Sequence, residues 1–163
     1  MIRLLPLLLL SCAGISPPAH VDLGRAPTAE EESRRPKAVR EARQERWILR
    51  RGSTEIVFTL LIEFEDELRF VALDDLGSVL ADSMGRHSRA LPESLVARMT
   101  TLLRAMYQPA DLRPVLVENR VGWAGAGVLW VGTTLYTRGM RVERVAPNRY
   151  EIDGALSATV TVG

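Results

Sequence analysis

Between Glu55 and Gly77 the chain reads EIVFTLLIEFEDELRFVALDDLG, two alternating runs separated by an acidic break. Alternation with a period of two marks a strand with one buried face, and two such runs joined by a few polar residues form a β-hairpin. On the first run Ile56, Phe58, Leu60, Ile62 and Phe64 share a wholly apolar face, while Glu55, Val57, Thr59, Leu61 and Glu63 share a mixed one. A turn on Glu65, Asp66 and Glu67 pairs Phe64 with Leu68 and Ile62 with Phe70, and carries Ala72 onto the same face. A two-residue turn at Glu65-Asp66 would set Arg69 opposite Ile62 and mix the faces, so the pattern predicts the three-residue loop.

A sheet with one apolar face needs a cover, and the segment from Pro92 to Tyr107 supplies a candidate. Leu95, Met99, Leu102, Leu103 and Met106 recur at helical spacing, Arg98, Thr101 and Arg104 lie opposite, and Pro92 and Glu93 suit a first turn. Further strands are expected at Trp47–Leu49, Ser78–Met84, Val115–Val117, Val128–Val131, Thr134–Tyr136 and Met140–Val145. Tyr150 and Ile152 lead to an Asp153-Gly154 turn, after which Leu156, Ala158, Val160 and Val162 alternate with small polar residues. Gly122, Gly125 and Gly127 surround Trp123 and Ala124 in a spacing that is not a dinucleotide fingerprint, and turns or a bulge account for them.

At 163 residues, 47% hydrophobic and 25% charged, the chain suits one globular domain with appendages. It carries 21 basic and 20 acidic residues, and Arg3 is the one charge among the first eleven, so the remainder is formally neutral. That balance gives no reason to propose a nucleic-acid partner. The single cysteine, Cys12, excludes an intrachain disulfide and a multi-cysteine metal site.

The start, MIRLLPLLLLSCAG, has a basic residue, a short apolar run and a small residue before Cys12. It is too short for a membrane span and has the layout of a secretory signal. Leu9-Leu10-Ser11-Cys12 resembles the lipobox of bacterial lipoproteins, which implies cleavage before Cys12 and a lipid on its thiol. Ala13 follows in place of an aspartate, which by the rule of that family implies the outer membrane. Residues 12–45 then read as a charged, Pro-containing tether, with a capping-box spacing at Thr28 and Glu31 and an option for a short helix after Pro36. The domain proper is expected over residues 46–163.

Catalytic groups are sparse. His20 lies in the tether and His87 in a polar loop, the carboxylates of Glu63, Glu65, Asp66 and Glu67 gather at a hairpin tip, and Asp74-Asp75 fall far short of a calcium ligand set. No enzyme, no metal and no cofactor are expected beyond a lipid on Cys12 and a bound acyl chain.

The lipobox, the charged tether, the strand LRFVALDDLG and the helix PESLVARMTTLLRAM together resemble a family of bacterial outer-membrane lipoproteins similar to the lipoprotein carriers LolA and LolB. The resemblance implies an α+β fold, a curved antiparallel sheet forming an incomplete β-barrel covered by an amphipathic helix. It implies an acyl cavity lined by Ile56, Phe58, Leu60, Ile62, Phe70, Met99, Leu102, Leu103 and Met106, and a membrane-insertion loop at Leu76 and Gly77. The expected function is acyl-chain binding with lipoprotein or lipid transfer, on the periplasmic side of the outer membrane. Membrane lipid, lipidated proteins or a periplasmic carrier are the implied partners. The alternative is a structural or assembly lipoprotein that binds an envelope partner and has no lipid cavity.

Overall fold

Strands Thr54–Phe64 and Leu68–Leu73 pair antiparallel with Phe64 opposite Leu68 and Ile62 opposite Phe70, the register that the three-residue turn predicts. The computed structural model describes residues 14–163, so Cys12 and the proposed signal lie outside the described residues. Twelve strands there form one open antiparallel sheet, accompanied by two helices. In chain order they are β1 (Val21–Asp22), α1 (Ala29–Ser33), β2 (Arg43–Arg51), β3 (Thr54–Phe64), β4 (Leu68–Leu73), β5 (Val79–Asp82) and α2 (Glu93–Tyr107). After α2 come β6 (Arg113–Val117), β7 (Arg120–Gly125), β8 (Val128–Val131), β9 (Thr134–Thr137), β10 (Met140–Ala146), β11 (Arg149–Gly154) and β12 (Ser157–Val162).

The sheet order is β1-β6-β7-β8-β9-β10-β11-β12-β2-β3-β4-β5. The meander β6 to β12 therefore folds back so that the last strand pairs with β2, with Ala158 opposite Leu49 and Val160 opposite Trp47. Both free edges are short, as suits strands that must not recruit other chains, and the Asp82 N–H on β5 is taken by the Arg86 carbonyl at 3.0 Å.

One cross-strand row runs Trp123, Trp130, Leu135, Val142, Ile152, Ala158, Leu49 and Ile56, all on the same face by register. Over β2–β5 and β9–β12 that face forms the main core with α2, whose Leu95, Val96, Met99, Leu102, Leu103 and Met106 are buried against it. Burial of such side chains contributes roughly 1.5–3 kcal/mol each, which fixes the helix on the sheet. A smaller cluster of Val115, Val117, Ala124 and Leu129 occupies the opposite face of β6–β8. The sheet thus buries both of its faces, in different regions.

Several expectations are corrected. β2 begins at Arg43, before the expected domain boundary at residue 46, and no helix follows Pro36. Residues 14–42 are also attached to the sheet, through β1 on β6, the Arg35 guanidinium on the Leu112 carbonyl (2.7 Å) and the Val39 N–H on the Tyr107 carbonyl (2.8 Å). Of the three glycines expected in turns or a bulge, Gly127 lies in the β7–β8 turn, but Gly122 and Gly125 lie in strand β7. Its glycines are there because backbone approaches closely: a Cβ on Gly122 would lie 2.7 Å from the Trp130 carbonyl oxygen, and one on Gly125 2.6 Å from that of Asp111.

Candidate functional site

The nine side chains expected to line an acyl cavity do come together. Ile56, Phe58, Leu60 and Ile62 project from β3 and Phe70 from β4, and they meet Met99, Leu102, Leu103 and Met106 of α2 in the main core. Eight are buried and Ile56 is half-buried. Phe58 stacks on Trp47 with centroids 5.8 Å apart and planes 20° from parallel. None of the nine lines any of the five cavities described, and eight of them are packed away from solvent within the main core.

Inside this core stands a carboxylate that the sequence reading missed. Glu45 is fully buried on the apolar face of β2 and accepts hydrogen bonds from the Trp47 indole N–H (2.8 Å) and the Tyr107 hydroxyl at the end of α2. Burial raises its pKa against the pull of those two donors and of Arg43, whose guanidinium lies 4.9 Å from the Tyr107 ring centroid. Burial together with Glu45 pushes the Tyr107 hydroxyl far above the ordinary tyrosine range. The spacing Arg43, Glu45, Trp47, Leu49 was the available signal, a strand alternation whose first two positions are charged and whose last two are apolar.

The loop at Leu76 is tightly built. Asp74 Oδ1 accepts from the N–H groups of Leu76 (2.9 Å) and Ser78 (2.8 Å), and the Gly77 N–H donates to the Asp74 carbonyl (3.0 Å). Gly77 has φ +81°, a conformation that favours glycine, and Asp75 pairs with Arg46 at 2.7 Å. This scaffold holds Leu76 93% exposed.

The strand registers put the turns 51–54, 125–128, 137–140 and 154–157 at one end of the sheet, whereas the 73–79 loop leaves β4 lower down, on the cross-strand row Leu73, Thr59, Arg46, Thr161 and Arg149 that ends at the β10–β11 turn. The first described residues dock at the end that carries those four turns, where the Ile15 N–H donates to the Gly139 carbonyl at 3.0 Å. The acidic tip Glu65-Asp66-Glu67 lies at the other end.

The largest cavity described, of about 680 Å³, lies away from the main core between the N-terminal segment and β7–β8, bordered by Arg34, Pro36, Arg120, Trp123 and Trp130. Trp123 and Trp130 are cross-strand partners, and the Arg35 guanidinium sits 4.1 Å from the Trp123 ring centroid. The Trp130 indole N–H is buried with no partner among the described residues. Nearby, Arg25 and the Thr28 N–H hold the Glu31 carboxyl down at about 2, within a capping box that opens α1.

His87 and Ser88 do not form a nucleophile–base pair: the Ser88 hydroxyl oxygen accepts from the Leu91 N–H at 3.2 Å, and His87 Nδ1 lies 3.3 Å from the Gly85 carbonyl. Among the described residues no group of three or more His, Cys, Asp or Glu side chains is placed to hold a metal, and no helix is long and apolar enough to cross a membrane. Comparison with protein-family models, curated proteins and solved structures gives no match for this chain.

Proposed function

We propose that this chain is a lipoprotein of the bacterial envelope, acylated at Cys12 and held on the periplasmic side of the outer membrane. Its sheet, of the LolA/LolB-like half-barrel kind, serves a structural or assembly role by binding an envelope partner, with no catalytic step. The observation that carries this reading is the course of the chain at Ile15, whose N–H meets the Gly139 carbonyl. Cys12 lies two residues before Gly14, a reach of at most about 7 Å, so a lipid on its thiol would emerge at the end of the sheet that carries the turns 51–54, 137–140 and 154–157. That end of the domain then faces the bilayer, and the rest of the sheet faces the periplasm.

The interior favours partner binding over carriage. An acyl chain could enter the main core only by displacing α2, which would expose Met99, Leu102 and Leu103 at roughly 1.5–3 kcal/mol each. The carrier reading keeps one specific observation in its favour, the exposed Leu76 on its rigid loop, because the corresponding leucine of the carriers that the sequence resembles serves delivery. Membrane fractionation of Cys12→Ser tests the anchor: the variant should leave the membrane, and unaltered association would contradict acylation. Lipid extraction of the purified protein separates the two readings, since a carrier retains acyl ligands and a packed assembly factor does not.

A further inference from the structure

Most arginines of the sheet are matched to a carboxylate, but a few at one end are not. At the end where the described chain begins, Arg104 on α2, Arg113 at the start of β6 and Arg138 in the 137–140 turn are exposed. None of the three makes an ion pair or a side-chain hydrogen bond with another described residue, whereas Arg46, Arg50 and Arg141 are each matched to a carboxylate. Other acidic groups at this end are committed, Asp153 to Arg141 and Glu55 to Arg50. Asp111 and Glu93 are the uncommitted carboxylates there. The far end carries Glu65, Asp66 and Glu67 at the β3–β4 turn. That far end also carries Arg69, Arg120, Arg144 and Arg149, of which Arg69 and Arg149 are matched to Glu67 and Glu151.

The three arginines also border real concavities. A cavity of about 360 Å³ lies between α2 and the turns, with Arg104 and Arg138 in its wall. A second, of about 270 Å³, lies on the other side of the same turns, with Arg113, Arg138 and His20 in its wall. Gly125, Ala126 and Thr137 belong to both, so Arg138 stands between two openings at one edge of the domain. Arg138 holds a left-handed backbone with φ +38°, unusual for a residue with a side chain, which fixes the turn that presents it.

Resting on the reading that Cys12 is acylated, we infer that this end is a docking surface for an anionic, phosphate-bearing membrane, with Arg104, Arg113 and Arg138 as its headgroup contacts. Basic side chains near an anionic leaflet are drawn to its phosphates by charge, and arginine and lysine serve alike in this. The chain start at Gly139 places the proposed lipid beside these arginines, and two weak attachments at one site give firm anchoring where a single acyl chain does not.

The test uses the chain from position 12 onward, carrying Cys12→Ser so that no lipid contributes, and retaining every described residue. Co-sedimentation is measured with phosphatidylcholine vesicles and with vesicles that also contain phosphatidylglycerol. Binding should favour the anionic vesicles and fall at high salt. Each arginine near such a surface contributes about 5-fold, so Arg104→Gln/Arg113→Gln/Arg138→Gln should lose about 100-fold, while the corresponding triple lysine variant keeps binding within about 2-fold. Arg69→Gln/Arg144→Gln/Arg149→Gln removes equal charge without touching this end and should lose far less. Equal loss in the two glutamine triples, or indifference to vesicle composition, overturns the inference. The mass of the mature chain reads the anchor separately. A lipidated Cys12 with composition-blind binding sinks this inference alone, and an unmodified Cys12 with arginine-dependent binding sinks the anchoring reading alone.

Discussion

The Tyr107 hydroxyl, at the last residue of α2, donates to the buried Glu45 carboxylate on β2, joining residues 62 positions apart. The covering helix is thus tied to the sheet by a polar contact as well as by apolar packing. Tyr107→Phe should destabilise the fold by about 1–3 kcal/mol, because it leaves a buried acceptor with the Trp47 indole as its remaining donor. Glu45→Leu combined with Tyr107→Phe should cost less than the two single changes together, since both sides of the Tyr107–Glu45 pair are then removed and only the Trp47 indole N–H loses its acceptor. Denaturant unfolding of the three variants checks this, and strict additivity would contradict it.

Glu45 also predicts a pH dependence. Its pKa is raised on folding, so the folded state holds the proton more tightly than the unfolded state. The stability this group contributes is fully present below the ordinary glutamate value of about 4.3 and is lost as pH rises through the raised value. Glu31, held down at about 2, acts with the opposite sign at acid pH. The unfolding free energy of the wild type minus that of Glu45→Gln should therefore fall as pH rises above the ordinary glutamate range. A difference that stays flat or rises there would show that Glu45 titrates as an ordinary carboxyl.

In β7, Gly122→Ala and Gly125→Ala should each destabilise by about 1–3 kcal/mol, because the added Cβ meets a carbonyl oxygen at 2.7 and 2.6 Å respectively. Gly127→Ala has open space around its Cβ and suffers only from its backbone, at φ +78°, so about 1 kcal/mol is expected. Thermal unfolding of the three variants should rank them in that order.

Much of this architecture was legible in the sequence. The β3–β4 register follows from parity alone, since only one turn length keeps Ile62 and Phe70 on a common face. Helix α2 follows from its apolar stripe. The first half of β2 was not legible, because Arg43, Gln44, Glu45 and Arg46 read as a polar run and the partner that makes Glu45 tolerable is Tyr107, far away in sequence. Strand β7 was hidden by glycines that look like turn residues but serve close backbone packing. The attachment of residues 14–42 was hidden too: β1 has two residues and its pairing to β6 leaves no periodic trace. The side chains expected around a cavity were identified as a group. Alternation is the same whether a sheet surrounds a void or a filled core, so the pattern does not distinguish the two.

Leu76→Glu tests the loop against the core. With Leu76 93% exposed, the substitution should change stability by less than about 0.5 kcal/mol. In the carrier reading its effect falls on membrane engagement, read as weaker vesicle binding at equal stability. Unfolding of the variant would show that Leu76 packs somewhere in the native state.

The most direct measurement is a native mass spectrum of the protein purified from its membrane fraction. Acylation at Cys12 combined with a packed core predicts a mature chain that begins at Cys12, carries covalent acyl groups on that residue, and holds no further lipid in stoichiometric amount. A chain without lipid on Cys12, or one that brings a bound acyl ligand into the spectrum, would contradict the account.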